Sequence, residues 1–85
     1  MGRTLATTNQ TILKEMASFN NFRRALRPPD QARLDTLFAG ARQHTAAISL
    51  ADHALPFEAI LLAMLLEQQR RIEQLEALAG HGYEP

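Results

Sequence analysis

Between Phe57 and Leu66 the chain carries Phe57, Ile60, Leu61, Leu62, Met64, Leu65 and Leu66, so closely set that on a helix they point in every direction around the axis. The longest unbroken apolar run, Ala59 to Leu66, is bracketed by Glu58 and Glu67 and falls far short of the roughly 20 apolar residues a membrane span requires. A helix that is apolar all round must be buried all round. In an 85-residue chain there is little else to bury it with. Two shorter helices leave one flank of it open, and a second copy or another protein is expected to cover that flank.

The same helix supports a narrower pattern further on. Leu61, Leu65, Gln68, Ile72, Leu75 and Ala79 follow one another at alternating steps of four and three, the spacing of a coiled-coil seam. Gln68 within that seam sets register at some cost in stability when it pairs with its mate. Leu61, Leu65, Gln68, Ile72 and Leu75 are therefore the expected oligomer interface. The competing reading makes all of them ordinary core of a single chain, because two to three heptads is close to the lower limit for recognising a coiled coil.

Prolines divide the rest. Ile12, Met16, Phe19 and Leu26 recur at helical spacing, with Phe22 widening the stripe, and Pro28-Pro29 ends that helix. Pro29 then suits the first position of a second helix, with Asp30 just inside it, and the apolar face of that helix runs through Leu34, Leu37, Phe38, Ala41, Thr45 and Ile48. Gly40 inside it is unfavourable for a helix unless a neighbour approaches closely there. Ser49 to Leu55 form a connection, Pro56 and Glu58 open the third helix, and Gly80 closes it. Residues 1–8 read as an extended arm, with Thr8 or Asn9 as the first N-cap. Residues 9–80 make one helical domain and residues 81–85 a flexible tail. The expected fold is all-α, a three-helix bundle with a long C-terminal helix, dimeric through that helix.

A chain this short is marginal as a monomer. Small proteins escape that limit with disulfides, metals or self-association, and without cysteine the first route is closed. The formal charge is zero, which argues against a dedicated nucleic-acid binder. The balance hides a polarity: residues 1–50 carry seven bases and three acids, residues 51–85 two bases and six acids. Two copies meeting head to tail would attract one another.

Catalytic chemistry is not legible. No cysteine is present, Ser18 and Ser49 lie in no nucleophile context, and the glycines are too scattered for a phosphate loop. His44, His53 and His81 have no second ligand at metal-binding spacing. Glu67 with Arg70 or Arg71 reads as surface ion pairing worth tenths of a kcal/mol. No enzyme, metal or cofactor is expected. Arg23, Arg24, Arg27 and Arg33 flank the Pro28-Pro29 turn and offer an anionic-partner contact, for phosphate backbone or an acidic protein segment. The alternative there is a solvated corner paired with Asp30, Asp35 or the acidic third helix of a second subunit. Gly2 is followed by Ala6 where an N-myristoylation signal wants Ser or Thr, and no secretory h-region appears, so the cytoplasm is the default.

Several segments together, namely Met1-Gly2-Arg3-Thr4, Phe22-Arg23-Arg24-Ala25-Leu26-Arg27, Asp35 with Leu37-Phe38, Ala41-Arg42 with His44, Pro56-Phe57-Glu58-Ala59-Ile60-Leu61 and Leu65-Leu66-Glu67-Gln68-Gln69, give the chain a family likeness. It resembles a family of small hypothetical proteins from prokaryotes, mainly archaea. The likeness spans most of the chain, and the threonine-rich stretch from Thr7 to Thr11 departs from it. It implies a stand-alone small protein and transfers no activity or site. Two functions follow as expectations. The first is a homodimeric interaction or adaptor module; the second is a small nucleic-acid-associated or antitoxin-like regulator working through the arginine corner.

Overall fold

The structure, a computed structural model, describes residues 5–51 and 55–81. Their regular structure is all helical, with no strand among them: α1 (Leu5–Ser18), α2 (Asn20–Ala25), α3 (Pro28–Ala41), a 3-10 turn (Arg42–His44), α4 (Thr45–Ser49) and α5 (Pro56–His81). The 26 residues of α5 give a rod of about 39 Å. α3 packs along it most extensively, with α1 and α4 completing the cover on the buried side.

Two of the three expected helices are each broken into two. The first breaks at Phe19, whose φ of −100° and ψ of 15° leave the helical region. Ser18 Oγ donates to the Glu15 carbonyl at 2.6 Å, and the Phe19 N–H reaches back only to Met16, at 3.1 Å. Asn20 and Asn21 add little helical preference to resist the turn. The gain is aromatic: the Phe19 ring lies 5.0 Å from Phe57, 6.2 Å from Phe22 and 6.4 Å from Phe38, centroid to centroid. The second break is the 3-10 turn, where Thr45 Oγ1 donates to the Arg42 carbonyl at 2.7 Å. Beyond it Ile48 enters the core.

The ends also differ from expectation. The arm over residues 1–8 does not hold for residues 5–8, which are helical; residues 1–4 lie outside the described residues. Thr8 is buried on the same face as Ile12, so packing outweighs threonine's weak helical preference. Asn9 is not a cap but a tether, its Oδ1 accepting from Arg42 Nε at 2.9 Å. Gly80 does not end α5 either, since the helix continues to His81 and no described glycine has a positive φ. The tail from residue 82, and His53 in the second connection, fall outside the described residues.

Pro56 opens α5 as read, whereas α3 begins at Pro28, one residue before the expected start at Pro29. Arg27 caps α3 in an extended conformation, its carbonyl accepting from Asp30 and Gln31 at 2.9 and 3.0 Å, with proline in the first turn. At the start of α5 the Leu55 N–H donates to Glu58 Oε1 at 3.1 Å, one half of a capping box. The core is small: Ile12, Phe38, Ala41, Ile48, Ile60, Ala63 and Met64.

Candidate functional site

α5 shows what that small core leaves uncovered. Ile60, Ala63 and Met64 are buried, while Leu61, Leu62, Leu65 and Leu66 from the same apolar run are exposed. Further along, Ile72, Leu75 and Leu78 are exposed as well. The residues read as a seam lie together on one strip. Leu65 and Leu75 are 59% and 65% exposed, and Gln68 is half-buried between them. Between α3 and the C-terminal half of α5 runs an open groove of about 530 Å³. Leu37, Gln68, Ile72 and Leu75 line it, together with the side chains of Arg33 and Arg71.

Beside this strip is a buried carboxylate. Glu67 is only 2% exposed, and every hydrogen bond it accepts is charged or polar. Arg70 grips both oxygens, its Nε lying 3.1 Å from Oε1 and its Nη2 bonding Oε2. Arg71 Nε donates to Oε2 at 3.0 Å, and His44 Nε2 lies 3.2 Å from Oε1. The Arg70 hydrogen bond is the largest cause that lowers the Glu67 pKa from its ordinary 4.5 to about 2; those of Arg71 and His44 add to it, and burial opposes them. Surface pairing is thus the wrong reading of Glu67. Gly40 explains why: a Cβ there would meet Glu67 Cγ at 3.0 Å, so glycine lets α3 close over the carboxylate. Gly40 as a point of close approach was legible from the sequence; Glu67 and His44 as its counterparts were not.

The arginine corner divides. Arg23 forms a two-pronged pair with Asp35, Nε to Oδ1 at 2.9 Å and Nη2 to Oδ2 at 2.8 Å, tying α2 to α3. That contact raises the Arg23 pKa and lowers that of Asp35. Arg33 bonds Asp30 at 2.7 Å within α3. Arg24 and Arg27 are exposed and make no side-chain hydrogen bond or ion pair among the described residues. The four guanidiniums do not converge on one free anion site.

Among the described residues no cluster of three or more His, Cys, Asp or Glu could hold a metal ion. No described helix is long and apolar enough to cross a membrane. Residues 1–80 match a family described as a domain of unknown function (DUF8156). No curated protein and no solved structure matches the chain.

Proposed function

Because the chain belongs to this DUF8156 family, whose description carries no activity, its own surfaces must suggest a role, and we propose that it is a non-enzymatic helical module that pairs with a second copy of itself through α5. One observation carries this reading: the strip Leu61, Leu65, Ile72 and Leu75 is exposed along a single face at coiled-coil spacing. Isolated exposed leucines are ordinary, but a contiguous apolar strip marks a contact surface. A dimeric adaptor in the cytoplasm is the simplest role for such a surface.

The nucleic-acid reading asks for free guanidiniums around one corner. Asp35 and Asp30 already engage Arg23 and Arg33, which leaves Arg24 and Arg27 to carry it. Self-association is the better supported of the two.

Light scattering on a sizing column tests the proposal. The wild-type chain should run at twice its mass of 9.5 kDa at tens of micromolar. Leu65→Asp, which sets a charge in the exposed strip, should lower that mass or unfold the chain. A wild-type monomer at that concentration sinks the idea.

A further inference from the structure

We infer that the groove between α3 and α5 receives α5 of a second copy running parallel, with Arg71 of each chain paired to Glu76 of the partner subunit. This rests on the proposed self-association and adds its direction. The seam residues define the heptad, with Leu61, Gln68 and Leu75 at d and Leu65, Ile72 and Ala79 at a. Arg71 then occupies a g position and Glu76 the e position that follows it. In a parallel pair, g of one helix approaches the next e of the other, and such charges set orientation.

Both groups are available for the contact. Glu76 is exposed and makes no hydrogen bond or ion pair among the described residues. Among the described residues Arg71 bonds only Glu67, through Nε, which holds the side chain beside the groove and leaves its terminal nitrogens without a partner there. Glu67 is thus a positioning residue for this contact. The symmetry of a parallel pair makes the ion pair twice and stacks Gln68 on its mate in one layer. In an antiparallel pair that uses the whole seam, Leu65 faces Leu75 of the partner subunit and the two Arg71 side chains meet each other, like against like. Glu76 would then lie against Leu62. The charges flanking the seam therefore favour parallel helices, against the head-to-tail attraction of the whole chains, and the flanking α3 helices close over the groove from each chain.

The chain has no cysteine, so a single engineered thiol reports direction. Leu75→Cys, first shown to be dimeric by light scattering under reducing conditions, is oxidised and run on a non-reducing gel. Parallel helices bring facing d positions within the Cα separation a disulfide spans, about 4.4–6.8 Å. Most of the protein should then migrate as a cross-linked dimer. Antiparallel helices separate the two thiols by about 15 Å along the axis. A dimer that fails to cross-link as Leu75→Cys, but does so in an equal mixture of Leu65→Cys and Leu75→Cys, overturns the parallel arrangement and leaves self-association standing. A wild-type chain of single mass overturns both. Glu76→Arg supplies an independent arm that spares the Glu67 contacts. Replacing two attractions by two repulsions should weaken the dimer about tenfold, whereas an unchanged dissociation constant counts against the Arg71–Glu76 pair.

Discussion

Glu67 is the residue on which the middle of α5 turns. A carboxylate this deeply buried is costly unless its lone pairs are filled, and here two arginines and a histidine fill them. Its folded pKa of about 2 lies below the ordinary 4.5, so folding favours the ionised form. The stability this contributes is fully present above about pH 4.5 and is lost as pH falls towards about 2. Thermal unfolding followed by circular dichroism between pH 6 and pH 2 should show a steep loss in that window for the wild type. Glu67→Gln should start lower and lose less across it; parallel curves for the two proteins would assign the transition to other carboxylates. None of this was legible locally. A glutamate followed at three and four residues by arginine looks like any solvated helix face, and its burial is decided by Gly40, distant in sequence on α3.

At the scale of elements, the prolines were reliable because their effect is covalent: no N–H, and a fixed φ whatever the surroundings. The breaks at Phe19 and at Arg42–His44 were hidden because each is held by a tertiary contact that local propensity does not encode. One is the ring of Phe19 against Phe57, the other His44 against Glu67. The exposed flank of α5 was legible, since it follows from counting apolar directions around an axis. The contact of α3 with α5 at Gly40 yields a prediction of its own. Alanine at position 40 gains about 1 kcal/mol of helix preference over glycine. Its Cβ, however, would press on a Glu67 side chain held by several hydrogen bonds and unable to yield freely. Overpacking of this kind costs about 1–3 kcal/mol. Gly40→Ala should therefore lose on the order of 1 kcal/mol net in urea denaturation. In a Glu67→Ala background, where the clashing Cγ is gone, the same change should cost less or turn favourable. An equal loss in both backgrounds would show that the contact with Glu67 is not what selects glycine.

The whole molecule is open for its size. A monomeric protein of this mass is expected to expose about 5,000 Å², whereas this chain exposes 6560 Å² and measures 52 × 35 × 19 Å. Its smallest dimension is about two helix diameters, the thickness of two layers with one face of the long helix uncovered. Among the described residues, seven buried apolar side chains, two of them alanine, are a thin core for such a surface. Folding and pairing should accordingly be linked. When association stabilises the folded form, the unfolding midpoint depends on chain concentration. For two chains of this length unfolding together, each tenfold rise in concentration should raise the midpoint by about 3–5 °C. Melting curves spanning two decades of concentration decide the matter. A midpoint that stays fixed across that range would mean that the single chain is stable with its leucines in water, and the open face of α5 would then contribute nothing to holding the fold together.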